Sequence, residues 1–375
     1  MNITNRIKVM HVAECIGGVD RYLHSLLKYM NHEKFENIMV LSKLYEGKGY
    51  EDLADKVEII DIPHGMGGKT IASAVDIRKL IKKHNPDVVY AHSSVAGAVT
   101  RLACIGLDCK VIYNPHGWSF NMQSGKKNIF VALEKLMAPF CDAIICISEA
   151  EKQSALKKKI CEEDKLHVIY NGIDLEEYAD ITATRKDLNI PEDAFVVGMV
   201  GRISQQKAPD VFVRMAAEVA KNVENTYFII VGDVVEGEAK EKADIERLAE
   251  ELGIKLRITG WVDNPLDYVK QFDVACLLSR WEGFGLAIPE YMLCEKPIVA
   301  TRVDAIPNLI EDGVNGLLVD VDDYKAAAEA VLKYRNAELR DKIVAYGIKT
   351  VHERFDAKRV ASEITSLVDK ELKRK

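Results

Sequence analysis

The chain has 375 residues, of which 48% are hydrophobic and 29% charged, and its formal net charge is -7. This length fits two domains with separate cores, and the apolar fraction excludes an intrinsically disordered chain. Residues 1–171 carry 23 Lys and Arg against 20 Asp and Glu, whereas residues 172–375 carry 28 against 38. The basic excess of the first half is too small for a dedicated nucleic-acid-binding protein.

Two further features predict a cytoplasmic protein without a membrane span. No apolar run reaches the roughly 18 residues of a membrane-spanning helix, and His11 and Glu14 interrupt the apolar N-terminal stretch, unlike a secretory signal. The eight cysteines form no Cys-x-x-Cys pair and lie mostly in apolar runs. This usage is typical of buried, reduced thiols rather than of disulfides or a zinc site.

Short β-rich runs alternate with amphipathic stretches along the first half. The predicted strands are IKVMHVAE, NIMVLS, VEIIDIP, DVVYAH, KVIYNPHG, DAIICIS and LHVIYNG. Helices are predicted for VDRYLHSLLKYM and IASAVDIRKLIKKH, where apolar residues recur at helical spacing. Continuous apolar strands separated by helices indicate a parallel sheet covered on both faces.

The second half repeats this plan. Its predicted strands are AFVVGMVGR, TYFIIVG, KLRITG, DVACLLS and KPIVAT, and the tail from Tyr324 reads as two or three helices. A polar stretch begins at residues 171–174, so we expect α/β Rossmann-like domains at 1–171 and 172–355, with the helix of 356–375 packing back on the first. Ligands bind at the carboxyl ends of strands in such sheets, and two facing sheets would form a cleft.

The most informative segment is residues 279–319. Glu282 is followed by the tight turn Gly283-Phe284-Gly285, and a helix is predicted to begin near Leu286, with Pro289 tolerated in its first turn. A glycine loop that opens onto a helix N-terminus is suited to phosphate. Glu290 follows Glu282 by eight positions, which would separate the two carboxylates by roughly 10 Å. This is about the span of a nucleotide-sugar from its sugar to its ribose.

A second motif, GRISQQK, places two cations at the end of the first strand of the second domain. Arg202 lies at the end of the strand and Lys207 comes five residues later. A planar guanidinium and an ammonium point charge are both suited to a diphosphate leaving group.

In these motifs the chain resembles the retaining, nucleotide-sugar-dependent glycosyltransferases of family 4 (glycosyl transferases group 1), which have the GT-B fold. The resemblance covers nearly the whole chain. It rests on IGGVDRYLHSLL, YNPHGW, IYNGIDLEEY, GRISQQK and the two glutamates separated by seven residues. The resemblance implies transfer from a nucleotide-sugar, predicted to be UDP-linked, to a sugar or lipid-linked sugar in capsule, exopolysaccharide or O-antigen biosynthesis.

The resemblance also implies roles for individual residues. Arg202 and Lys207 would stabilise the departing diphosphate, Glu290 would hold the ribose and Glu282 would contact the donor sugar. His116 would lie near the reacting centre, where the transition state resembles an oxocarbenium ion. The remaining donor-binding residues implied by the family are Gly17, Gly18, Gly283, Phe284, Gly285 and Leu286.

The sequence departs from the family pattern near the donor sugar. Tyr291 replaces the usual Ala, Asp304 and Ala305 replace a Gly-Gly pair, and Asn308 replaces a Glu. We expect these positions to flank the sugar pocket. The family needs no metal, and we interpret Asp320 and Asp322 as residues near a helix N-terminus rather than as metal ligands.

Two other functions fit the same fold. A nucleotide-sugar 2-epimerase would turn over without an acceptor, and a partner subunit would bind a nucleotide-sugar without transferring it. The acceptor is predicted to bind the first domain, whose helices carry one basic cluster at residues 78–83 and a second that comprises Lys152 and residues 157–159. These clusters predict weak, reversible binding to anionic membranes at their cytoplasmic face. The alternative interpretation is that they are two ordinary solvated helix faces.

Overall fold

A computed structural model describes residues 6–15, 17–43, 49–63, 70–121, 125–235 and 239–374. The chain divides into two compact units. The first comprises residues 1–173 together with 356–375, and the second comprises residues 174–355. The sequence-based boundary at 171–172 lies two residues before the end of the first segment.

The first unit is built on a seven-stranded parallel sheet with the strand order β3-β2-β1-β4-β5-β6-β7. Its strands are β1 (Ile7–Ala13), β2 (Phe35–Ser42), β3 (Lys56–Ile60), β4 (Val88–His92), β5 (Lys110–Asn114), β6 (Ala143–Cys146) and β7 (Leu166–Val168). Its first five helices are α1 (Gly18–Tyr29), α2 (Thr70–His84), α3 (Ser94–Cys104), α4 (Lys127–Met137) and α5 (Glu149–Lys158). Strand β5 ends before Pro115, which has no N–H to donate.

Alternation along the strands divides the core of this unit into two layers. Met10 and Val12 of β1 belong to one buried cluster, whereas Val9 and Ala13 belong to the other. Successive side chains of a strand point to opposite faces, so each face of the sheet has its own apolar layer. The continuous apolar runs of the sequence are therefore explained by burial on both sides.

The final helix of the chain, α13 (Ala357–Lys373), belongs to the first unit. Its apolar face contributes Ile364, Leu367 and Val368 to the same buried cluster as Leu23 of α1. Asp356 caps its N-terminus through the N–H of Lys358. The helix thus packs on the domain in which the chain begins.

The second unit has a six-stranded parallel sheet with the order β10-β9-β8-β11-β12-β13. Its strands are β8 (Phe195–Val200), β9 (Thr226–Val231), β10 (Leu256–Ile258), β11 (Val274–Leu277), β12 (Ile298–Thr301) and β13 (Leu317–Val319). Its helices are α6 (Pro209–Ala220), α7 (Ala239–Glu251), α8 (Pro265–Val269), α9 (Ala287–Leu293), α10 (Ile306–Leu309), α11 (Tyr324–Lys333) and α12 (Ala337–Arg354). Both units therefore have the predicted α/β class with wholly parallel sheets.

Candidate functional site

Each sheet has a point at which the strand order reverses, and most of the candidate residues follow the strands that meet there. In the first unit this point lies between β1 and β4, and in the second between β8 and β11. The crevice at the carboxyl ends of the strands beside such a point is where α/β sheets bind ligands. Arg202 lies two residues after β8 and Glu282 lies five residues after β11.

Lys207 and Glu282 form a direct ion pair in the second domain. The Lys207 ammonium lies 2.6 Å from Oε2 of Glu282, and the two side chains are only 16% and 9% exposed. Ser279 donates a hydrogen bond of 3.0 Å from Oγ to the same carboxylate oxygen. The fold therefore brings together two residues that the sequence assigned to different parts of a ligand.

Arg202, by contrast, is exposed. Among the residues that the structure describes, no hydrogen bond or ion pair to its guanidinium is found. The two cations of the GRISQQK motif thus differ, because Lys207 is held by a buried carboxylate whereas Arg202 is exposed.

The turn at residues 283–285 admits only glycine at its last position. Gly285 has φ +89°, and a Cβ there would lie 2.9 Å from Cδ1 of Ile306 and 3.2 Å from Cγ of Glu282. Phe284 is buried and packs edge-to-face on Phe355, with ring centroids 5.8 Å apart. The turn is therefore fixed beside Glu282 by steric constraint and by an aromatic anchor.

Helix α9 follows this turn, one residue later than the predicted start near Leu286. Leu286 is its N-cap and provides no side-chain hydrogen bond to the first turn. Pro289 lies in that first turn, where its missing N–H costs no intrahelical bond. Glu290 also lies on this helix and is buried.

The expectation that Tyr291 flanks the sugar pocket is wrong. Its side chain is fully buried, and its hydroxyl accepts a hydrogen bond of 2.8 Å from the N–H of Val200 in β8. The same hydroxyl donates to the carbonyl of Cys276 in β11 at 3.3 Å. Adjacent residues of a helix point about 100° apart, so Tyr291 ties the helix to the sheet beneath it.

Asp304, in contrast, contacts the site. Its Oδ2 accepts a hydrogen bond of 2.9 Å from the N–H of Glu282, and its φ is +42°. Burial raises the pKa of the Asp304 carboxyl, the N–H of Glu282 partly offsets this, and the Glu282 carboxylate adds to the rise. Asp is one of the few residues that tolerates the left-handed region in which a glycine would be unstrained. The residue therefore fixes the backbone of Glu282.

In the first domain the Gly-Gly motif opens α1. Gly17 is the N-cap with φ +54°, and a Cβ there would meet nothing within 4 Å. The need for glycine at position 17 is thus explained by the backbone conformation rather than by close contact with a neighbouring atom. Gly18 is the first helical residue, and both glycines are exposed.

His116 lies in the loop after β5 with φ +51°. Its N–H donates to Oδ1 of Asn114 at 3.0 Å, and its ring meets the edge of the Tyr22 ring with centroids 4.8 Å apart. Its Nε2 lies 3.2 Å from Nδ1 of His92, the last residue of β4. Burial lowers the pKa of His116 to about 3, so its imidazole is neutral at pH 7. The sequence analysis missed His92, whose only signal is a polar residue at the end of an apolar strand.

The two aspartates of the Asp-x-Asp sequence lie just before the N-terminus of α11, as expected, but neither is its N-cap. Asp322 accepts a hydrogen bond of 2.7 Å from Nε of Arg280. The N-cap of α11 is Asp323, whose side chain accepts from the N–H of Ala326. Within the described residues, no group of three His, Cys, Asp or Glu side chains is placed to hold a metal ion.

The two basic clusters of the first domain also differ. Arg78 donates two bonds of 2.7 Å to carbonyls at the end of α3. Lys79 and Lys83 pair with carboxylates at 2.8 and 2.7 Å. The lysines at 157–159 are instead exposed at the end of α5. In the described part of the chain, no helix is long and apolar enough to cross a membrane.

Comparison with known families matches both halves of the chain. The model described as "Glycosyl transferases group 1" matches residues 180–350, and "Glycosyltransferase Family 4" matches residues 16–177. The first match includes Arg202, Lys207, Glu282 and Glu290, and the second includes Gly17, Gly18 and His116.

Individual relatives extend over most of the chain. An Escherichia coli UDP-Gal:alpha-D-GlcNAc-diphosphoundecaprenol alpha-1,3-galactosyltransferase is 28% identical over 346 residues, which is 88% of each protein. CapM of Staphylococcus aureus, a capsular polysaccharide biosynthesis glycosyltransferase, is 26% identical over 81% of this chain and 84% of its own. Anabaena HepE in complex with UDP-glucose has a similar fold, with a TM-score of 0.84, 21% identity and coverage of 97% and 100%.

Proposed function

The chain belongs to the glycosyltransferases of group 1 with the GT-B fold, which act on nucleotide-sugar donors, and on this premise we propose that it is a retaining hexosyltransferase. The donor is a UDP-sugar, and the acceptor is a sugar or a lipid-linked saccharide of bacterial capsule, exopolysaccharide or O-antigen assembly. The Escherichia coli relative, which takes UDP-Gal and acts on a diphosphoundecaprenol-linked GlcNAc, supports this choice of substrates. Its alpha linkage supports retention for a donor sugar that is itself alpha-linked.

The observation that carries the proposal is the ion pair of Lys207 with Glu282 beside the β8–β11 switch point, together with the position of Arg202 in the loop that follows β8. Glycosyl transfer breaks the bond between the anomeric carbon and the diphosphate, so negative charge develops on the leaving oxygen. The exposed guanidinium of Arg202 and the ammonium of Lys207 neutralise that charge. Fixed charges in a partly buried site act more strongly than they would in water.

The other candidate residues bind different parts of the donor. Glu282 accepts a hydrogen bond from a sugar hydroxyl, and Glu290 accepts from the ribose. Gly17 and Gly18, together with the turn at 283–286, let the backbone approach the donor. The neutral His116 acts as a hydrogen-bonding group at the reacting centre, and the leaving phosphate takes the proton of the acceptor hydroxyl. The transition state would have oxocarbenium character.

Release of free nucleotide from a panel of nucleotide-sugars, with and without candidate acceptors, tests the function. We expect release of UDP to depend on an acceptor, with product anomers that match the donor. Release without an acceptor and formation of an epimerised sugar would instead identify a 2-epimerase, and donor binding without any turnover would identify a non-catalytic subunit. We propose that transfer needs no metal, so a chelator is expected to leave the rate largely unchanged. Loss that a divalent ion restores would contradict this and would return attention to Asp320 and Asp322.

We also propose weak, reversible binding to anionic membranes through the exposed lysines at 157–159. Each lysine near an anionic surface contributes about 1 kcal/mol, which salt screens. The ion-paired cations of α2 are expected to contribute less than those of α5.

Co-sedimentation with vesicles is expected to show binding to anionic but not to neutral lipid, and this binding should fade in high salt. Changing all three lysines at 157–159 to Glu should abolish it. The same charge change at Lys240, Lys255 and Lys333, exposed in the second domain, is the control and should have little effect. If nothing pellets with anionic vesicles at low salt, membrane binding is wrong and a soluble acceptor is favoured.

A further inference from the structure

Three imidazoles, two of them fully buried and the third, His116, half-buried, form a continuous hydrogen-bonded chain in the first domain. Nδ1 of His11 lies 3.4 Å from Nε2 of His92, and Nδ1 of His92 lies 3.2 Å from Nε2 of His116. His11 lies on β1 and His92 on β4, the two strands that flank the switch point. His11 and His92 have no exposed surface, so the chain leads from His116 into the sheet.

The inner end of the chain gives it a direction. Nε2 of His11 lies 3.4 Å from Oδ1 of Asn37 on β2, and a carbonyl oxygen can only accept. A neutral imidazole has one donor and one acceptor nitrogen. In this orientation of the Asn37 amide, whose Nδ2 is buried without a hydrogen-bond partner among the described residues, His11 donates from Nε2 and accepts at Nδ1 from His92. His92 in turn accepts at Nδ1 from Nε2–H of His116, and the opposite amide orientation would reverse all of these bonds. The outer nitrogen of His116, Nδ1, is left with a lone pair.

The surroundings keep each of these rings neutral. Burial lowers the pKa of His11 to about 4 and that of His116 to about 3, and it also lowers the pKa of His92. The neighbouring Tyr22 and Tyr90 are hydrogen-bonded to each other at 2.9 Å, and burial raises the pKa of both, so neither supplies a charge. With one proton per ring, the order of donors along the chain is preserved at pH 7.

We propose that His92, His11 and Asn37 are positioning residues that hold His116 in its Nε2–H tautomer, so that Nδ1 accepts a hydrogen bond from a substrate hydroxyl. The inference rests on the proposed function for its substrate, but the tautomer itself does not depend on it. Buried polar groups cost free energy unless they are hydrogen-bonded. Apolar side chains at these positions would pack the strands at a lower free-energy cost. The proton of the His116 ring would then not be held on one nitrogen.

The tautomer can be tested without any substrate. In protein labelled with 15N-histidine, NMR is expected to show His116 protonated at Nε2 and unprotonated at Nδ1. His92→Phe should give a mixture of tautomers, as should His11→Phe, which removes a ring that does not touch His116. His167→Phe is the control, because this half-buried imidazole lies on β7 outside the chain. Protonation of wild-type His116 at Nδ1 would overturn the inference.

Kinetics test whether the chain acts through His116. We expect His92→Phe to lower kcat about tenfold, the scale of a misplaced reacting group, with the KM for the donor within about twofold. In a His116→Ala background the same substitution should have no further effect, because coupled residues are not additive. An equal loss in both backgrounds would mean that His92 is merely structural and would overturn the proposal. Unchanged transfer by His116→Ala would overturn it as well. Absence of any transfer in the wild type would count against the proposed function and leave the NMR result standing.

Discussion

Neutralising either cation of the GRISQQK motif is expected to reduce transfer by about a hundredfold or more, the scale of removing one preorganised electrostatic group. Arg202→Ala and Lys207→Met should lower kcat more than they weaken donor binding, because the charge that they oppose develops during bond cleavage. Steady-state kinetics with the best donor of the panel measure both quantities. Arg302→Ala removes only a surface ion pair with Asp312 in the same domain and is the control.

The two variants are expected to differ in stability. Lys207→Met leaves the buried Glu282 without its ion-pair partner, which is destabilising, whereas Arg202→Ala removes an exposed side chain. Thermal unfolding should therefore show a lower Tm for Lys207→Met alone. The double variant Lys207→Met/Glu282→Gln should recover most of that loss without recovering activity. Near wild-type turnover by Arg202→Ala would contradict the proposal that Arg202 stabilises the leaving diphosphate.

The two glutamates are expected to separate binding from transfer. Glu290→Gln should weaken binding of UDP about tenfold or more, because it replaces a charged acceptor of the ribose hydroxyls with a neutral one. Glu282→Gln should not weaken UDP binding, yet transfer should fall about a hundredfold, since its partner is the sugar that UDP lacks. Calorimetry with UDP alone and kinetics with the full donor measure the two effects.

Glu311→Gln, an exposed change in the same domain, is the control for the loss of one carboxylate. Weaker UDP binding by Glu282→Gln together with unchanged binding by Glu290→Gln would show that the two roles are reversed. Unchanged binding and transfer in both variants would mean that the donor does not bind at this loop and helix.

The fold was largely predictable because most of its strands are buried on both faces and therefore appear as continuous apolar runs. Strand β13 was not predicted, since three residues between a glycine and an acidic turn carry too little periodicity. The helix after Gly285 was predicted from turn chemistry alone. The burial of Tyr291 could also have been predicted from this helix, because adjacent residues of a helix point in different directions and Tyr291 therefore cannot share the face of Glu290.

The contacts within the site were less predictable. Lys207 and Glu282 are 75 residues apart, and no local pattern indicates that they meet. His11 and His92 resemble ordinary strand residues in the sequence. Only the pairing of β1 with β4, in which His11 lies opposite Tyr90, brings their rings within 3.4 Å of each other. The residue types at the site followed from local motifs, whereas their mutual contacts depended on sheet order.

The ion pair of Lys207 and Glu282 has a consequence for product inhibition. Under the proposed function, a nucleoside diphosphate would offer Lys207 new anionic partners but would give Glu282 nothing in return, so its binding would leave a carboxylate that is 9% exposed with a weakened counterion. An intact nucleotide-sugar compensates both, since its hydroxyls donate to Glu282 while its phosphates occupy the ammonium. The ion pair would therefore weaken binding of UDP relative to binding of the nucleotide-sugar. This would reduce product inhibition as UDP accumulates.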